Sequence, residues 1–259
     1  MFPTPKHVFV FCGFGDPQEE FQGQWQQFFS HLHPMCLPVG NQPLILWVLE
    51  ALAKARLTTV TLIDPYLKQR PDLHQQLKEK ARSIYGFSLN FTDHVANIPT
   101  QITPVMSLEG INLHVYAPET QQIESQPLRN LKDYYHENMR SASHWQHYVT
   151  LPYFKRVGQV SMGERCKIHN RSLCRQSILG KHVVLSDESQ AIGSIIGDYA
   201  HIGPQTQIFG SIILPHTRLG SHLHILGKIV SGNYLIDPLS GAWTTMDPVW
   251  CRAQKHYAL

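Results

Sequence analysis

Charge is scarce in this chain. Of its 259 residues, 16% are Asp, Glu, Lys or Arg, and the formal net charge is +3 with histidine neutral. No run of Lys and Arg builds a basic face, which removes the electrostatic case for nucleic acid as a partner. The shortage of cations is sharpest near the N-terminus. Between Lys6 and Lys54 there is no Lys or Arg at all, while Asp16, Glu19, Glu20 and Glu50 are acidic. Cysteine is sparse too: Cys12, Cys36, Cys166, Cys174 and Cys251 make an odd number with no CxxC pair. That excludes a disulfide framework and a paired-cysteine zinc site. Cys12 and Cys174 sit in apolar runs, so reduced, buried thiols and a cytoplasmic location are expected. The sixteen histidines are scattered, with no HExxH and no tract, so no metal site is expected. No stretch approaches the roughly 20 apolar residues of a membrane span, and MFPTPKHVFVFCGFG lacks a cleavage-type pattern.

What the chain does contain is a ladder with a period of 17, stepping six, six and five. It runs Met162, Ile168, Cys174, Leu179, Leu185, Ala191, Ile196, Ile202, Ile208, Ile213, Leu219, Ile225, Val230, Ile236 and Ala242. Every rung is apolar in a chain that is 42% apolar, an outcome expected by chance on the order of once in 10^5 to 10^6 tries. Glycine follows rungs at Gly180, Gly197, Gly203 and Gly220, among others. A six-residue apolar beat with glycine at the corners marks a hexapeptide β-helix, with three short strands per coil and one tightened corner. It does not fit an α-helix, whose apolar positions return at three and four. The ladder predicts a left-handed parallel β-helix of about five coils over residues 158–242.

Ahead of the ladder the pattern is α/β. HVFVF (His7–Phe11) reads as a buried strand running into Cys12-Gly13-Phe14-Gly15, the kind of strand-to-glycine loop that binds phosphate through backbone N–H groups. Residues 16–36 form a polar, aromatic insert with one short helix. A helix from Pro43 to about Arg56, a strand Thr59–Ile63, a helix Asp72–Tyr85 closed by Gly86, and a strand Phe87–Phe91 follow. This order predicts a small Rossmann-like parallel sheet with helices on its faces. Residues 96–110 read as loop and INLHVY as a strand. Leu128–Met139 reads as a linker helix packing through Leu131, Tyr134, Tyr135 and Met139. The expected domains are 1–127, a linker 128–157, the β-helix 158–242 and a C-terminal cap 243–259. The tail carries Trp243, Trp250 and Tyr257, which either cover the open end of the solenoid or present an aromatic partner site.

LPVGNQPLILWVLEALAKARLTTVTLI resembles the nucleotide-diphosphate-sugar pyrophosphorylases, the sugar-1-phosphate nucleotidyltransferases, whose pattern there is roughly L-P-V-G-N-K-P-L-I, a helix, then a strand. LKDYYHENMR resembles their linker helix, and SIIGDYAHIGPQTQIFGSIILPHTRLG their left-handed β-helix. The resemblance implies a truncated member that joins nucleotide to sugar 1-phosphate or descends from one that did. In the family motif G-x-G-T-R-L-x-P-L-T-x-x-x-P-K, a glycine loop holds phosphate, Arg and Lys neutralise charge, and Asp residues hold Mg²⁺. By that match Gly13 and Gly15 are the loop glycines, with Gln42 nearby, as nucleotide-binding residues. The Thr-Arg pair becomes Asp16-Pro17, and the lysine slot falls on Pro34 or Met35. Cationic hydrogen bonds to phosphate are replaced by a carboxylate. The central Gly-Asp that would hold Mg²⁺ is missing, with Asp93 the nearest substitute, and the E-K-P sugar segment is absent.

Three readings follow. The first is a catalytically degenerate homologue that acts by binding, as a regulatory, scaffold or nucleotide- and sugar-phosphate-binding subunit in sugar-nucleotide or cell-surface polysaccharide metabolism. Its partners would be further copies of itself or an active relative. The second is an active enzyme with an altered site, using Asp16 or Asp93 for Mg²⁺ and Lys6 or Lys54 on phosphate. The third is a hexapeptide acyltransferase with a solenoid histidine as general base, drawn from His182, His201 and His216. His182 and His216 lie two coils apart, roughly 10 Å by strand spacing, too far to act as a pair.

Overall fold

The computed structural model describes residues 7–11, 27–29, 37–54, 59–63, 71–92, 105–107, 112–117, 122–144, 154–247 and 251–253. The N-terminal part holds a four-stranded, all-parallel sheet of β1 (His7–Phe11), β4 (Thr59–Ile63), β5 (Ser88–Thr92) and β6 (Val105–Ser107), in the order β5-β4-β1-β6. The strand Thr59–Ile63 lies where the sequence predicts it. β6 falls in a stretch read as loop: Pro99 and Pro104 break its pattern, and three residues are too few to show alternation. Between β1 and β4 come a tight hairpin of β2 (Pro38–Val39) and β3 (Gln42–Pro43), then α1 (Leu44–Lys54). Pro43 ends β3 and does not open the helix. α2 (Pro71–Lys80) runs through a wider π turn, Ala81–Tyr85, to Gly86, whose φ of 74° closes it. Ile45, Val48, Leu49 and Leu52 of α1 pack with Val60, Leu62, Leu77 and Leu89 into the sheet's core. Two further strands, β7 (Asn112–Ala117) and β8 (Gln122–Pro127), pair as an antiparallel hairpin; the second had no expectation attached to it.

The linker helix, α3 (Leu131–His144), starts later and ends later than its apolar face predicts. Asn130 caps it by accepting the Asp133 N–H at 2.8 Å, the role in which Asn is preferred. Leu131 and Tyr134 are buried, and Tyr135 and Met139 pack beside them, as expected.

The C-terminal part is a β-solenoid of the left-handed hexapeptide kind with four full coils, not five. Each coil contributes one strand to each of three parallel sheets. The first face stacks 160–162, 177–179, 195–196, 212–213 and 229–231. The second stacks 167–168, 184–185, 201–202 and 217–219, and the third 173–175, 190–192, 207–209 and 224–226. The ladder's rungs from Cys174 to Val230, with Met162, fill the prism, with Leu179, Leu185, Ile196, Ile202, Ile208 and Ile213 at its centre, while Ile168 in the first coil is exposed. Its last two rungs do not continue the coil. At Gly232, with φ of 60°, the chain turns back, and Tyr234–Ile236 runs antiparallel to Ile229–Ser231. Ile236 is fully buried, but outside the prism, with the N-terminal part. The repeat survives there in spacing alone.

Trp243–Thr245 adds another antiparallel strand to the first sheet, and Cys251–Ala253 pairs with Thr217–Leu219 on the second. The tail therefore covers sheet edges, as a cap should. Trp243 stays 48% exposed, its ring edge-on to Phe28 and Tyr234. Trp250 and Tyr257 lie outside the described residues. No helix among the described residues is long and apolar enough to cross a membrane.

Candidate functional site

Gly13, Gly15, Asp16 and Asp93 lie outside the described residues, but the strands that deliver them do not. β1 ends at Phe11, and the glycine loop, residues 12–15, follows directly in the sequence. It has β4 on one side and β6 on the other. The chain leaves β1 toward β4 and β5, then returns to the opposite side as β6, so the strand order reverses at β1. In open parallel sheets, ligands bind outside the carboxyl end of such a switch point. In the sequence, Gly13 and Gly15 come two and four residues after this strand. Asp93 comes one residue after β5 in the sequence, and β5 lies two strands from β1 in the sheet.

Among the described residues up to Lys54, Lys54 is the only Lys or Arg, and it closes α1 just before β4 begins, on the side where strands start. Its ammonium pairs with Glu50 at 2.8 Å. Lys6 is outside the described residues.

Gln42 is 5% exposed, and its Nε2 donates to Glu50 Oε2 at 3.4 Å. It belongs to the PVGNQP hairpin, and that hairpin grips the solenoid. Asn41, held at φ 62°, donates from Nδ2 to the Ile196 carbonyl at 2.8 Å. The Gly40 N–H donates to Asn138 Oδ1 at 2.9 Å, and Asn138 Nδ2 donates back to Tyr134 O. Tyr134 Oη donates to Pro38 O at 2.8 Å, and burial raises its pKa. Each buried polar group has its partner, which is what makes so polar a joint affordable.

The apolar half of the joint was not foreseen. Ile178, Ile195, Ile212 and Ile229 recur at the same period of 17, one residue ahead of first-face rungs, and all are at most 2% exposed. Ile212 and Ile229 share one core with Phe28, Phe29, Leu37, Val39, Leu44, Trp47 and Leu131. The signal was present in the sequence, because paired apolar residues (IL, II, II, IV) mark strands buried on both faces. At about 1.5–3 kcal/mol per buried aliphatic side chain, this column accounts for much of the docking.

On the solenoid, His182, Tyr199 and His216 occupy equivalent corners of successive coils, all with φ between 56° and 60°. Their rings stack at 4.7 and 5.0 Å with 9° between planes. Tyr199 fills the gap between the two histidines, so they do not meet. Beneath this corner, Asp198 accepts the Lys181 N–H at 2.8 Å, and burial holds its carboxyl above the usual range. Gly180 leaves the room, since a Cβ there would meet Asp198 Cα at 2.8 Å. His201 lies on the second face, shares a hydrogen bond with Ser186 Oγ at 3.3 Å, and has its pKa lowered by burial and then by Arg218. Cys166 and Cys174 are free, half-buried thiols; burial pushes Cys174 up to about 11. Such thiols are inert. Among the described residues no three His, Cys, Asp or Glu side chains are placed to hold a metal ion.

No family model matches this chain, and no curated protein matches it. The functional reading rests on two features of the geometry: a switch-point strand that the glycine loop follows in the sequence, and a hairpin given over to joining two halves.

Proposed function

We propose that this chain is a nucleotidyltransferase-like subunit that acts by binding, without turnover, as a regulatory partner or assembly platform in sugar-nucleotide or cell-surface polysaccharide metabolism. The observation that carries the reading is the position of Lys54. It is the one described cation before β4, it sits where strands begin, and it is neutralised by Glu50. Phosphoryl and nucleotidyl transfer depend on positive charge aimed at the developing transition state, and the glycine loop follows the other end of β1. The PVGNQP hairpin, meanwhile, spends its polar groups on the solenoid.

Isothermal titration with nucleoside triphosphates and sugar nucleotides, beside a pyrophosphate-release assay, tests this. Weak or no nucleotide binding with no turnover is the expected result. Sustained pyrophosphate release with any sugar 1-phosphate, dependent on Mg²⁺ and lost in Asp16→Ala or Asp93→Ala, would overturn it in favour of an active enzyme.

A further inference from the structure

We propose that the second face of the solenoid docks an acidic, extended segment of a partner protein. The register sets Lys167, Val184, His201 and Arg218 in one column, with Arg252 at the next position along the sheet. Leu185, Ile202 and Leu219 alternate with them as buried inward rungs, so the column faces out. One step away at the corner runs a second column: Arg165, His182, Tyr199 and His216. Arg165, Lys167 and Arg218 are exposed, and none makes an ion pair with a described residue. The next corner is different, because there Arg171 is matched by Asp187 and Glu188.

Arg218 stands directly beside His201, and a cation beside a protonated imidazole is unfavourable on a sheet. Among the described carboxylates near this face, Asp198 is tucked under Gly180 and faces Lys181, His182 and His216, Asp187 is taken by Arg171 and His169, and Glu164 is exposed. Arg218 acts on His201 in the same sense, disfavouring its protonation. An anion along the column would relieve both. The other two faces lack such a column: the first is buried against the N-terminal part, and the third carries Ile192, Phe209 and Leu226 in register. The charges spread over about 15 Å of flat sheet, which matches a chain of carboxylates better than one phosphate. Tyr199 has an imidazole on each face and offers no platform for a nucleobase. This inference is independent of whether nucleotide binds near Gly13 and Gly15.

The test is fluorescence anisotropy of a labelled deca-glutamate peptide with the full chain at low salt, against deca-glutamine. The glutamate peptide alone should bind. The double variant Lys167→Gln, Arg218→Gln should weaken it about tenfold, while Arg175→Gln on the third face should leave it unchanged. In NMR titrations the His201 pKa should rise when peptide is bound. Absence of binding, equal binding by the double variant, an unmoved His201, or tighter binding of a single-stranded oligonucleotide would each overturn the assignment.

Discussion

Two buried residues give the clearest tests of the packing argument. Thr217 is fully buried on the inward corner column of Cys166, Val183 and Ala200, and its hydroxyl has no hydrogen-bond partner. Thr217→Val keeps the shape and removes the unpaired group, so it should stabilise the fold by about 1 kcal/mol, read as a higher urea midpoint at unchanged slope. Asp198 tests electrostatics. Its folded pKa is raised by burial, so the folded state binds a proton more readily than the unfolded chain. That relation makes wild-type stability fall as pH rises from the ordinary carboxylate range through the folded pKa. Asp198→Asn keeps an acceptor for the Lys181 N–H and removes the buried charge. It should be more stable than wild type at pH 7, and the difference should vanish as pH drops into the ordinary carboxylate range. A variant less stable than wild type at pH 7 would mean that the charge is offset by its cationic neighbours.

At the scale of elements, α3 and the β2–β3 hairpin form one unit held by Asn138. Asn138→Ala would leave the Gly40 N–H and the Tyr134 carbonyl without their side-chain partner in a buried site. A loss of about 2 kcal/mol is expected, checked by chemical unfolding. Much of this scale was legible in the sequence. The period of 17 identified the solenoid because each apolar rung in phase is a separate constraint, and fifteen of them leave little ambiguity. Strand β4, both ends of α2 and the packing face of α3 were legible for the same reason. β6 and β8 were not, since short strands carry too few alternations. The coil count was overestimated because spacing persists through Ile236 while Gly232 reverses the chain. Of the candidate site, the strand β1 that precedes the glycine loop was legible, but the work of PVGNQP was not. A local motif gives no sign of what it touches more than a hundred residues away.

At the scale of the whole molecule, the two halves share a core containing Trp47, Tyr134 and Ile229. Unfolding followed by tryptophan fluorescence and by far-ultraviolet circular dichroism should therefore coincide in one transition. Two separated transitions would mean that the halves are stable apart and the joint contributes little.

The joint also touches several coils at once. Asn41 bonds to Ile196, Tyr135 Oη donates to the Gly210 carbonyl at 2.6 Å, and Ser231 Oγ donates to Phe28 O at 2.7 Å. A solenoid by itself can change length only in whole turns. Excising residues 190–206 leaves every column in phase, whereas excising one residue fewer shifts all that follow to the wrong side of the wall. The N-terminal part, gripping three levels together, acts as a gauge that accepts a single length. The 17-residue excision should keep the solenoid's β-sheet signal yet free the N-terminal part to rapid proteolysis, and the 16-residue excision should lose both. The number of turns is set by the domain that reads it, and not by the repeat.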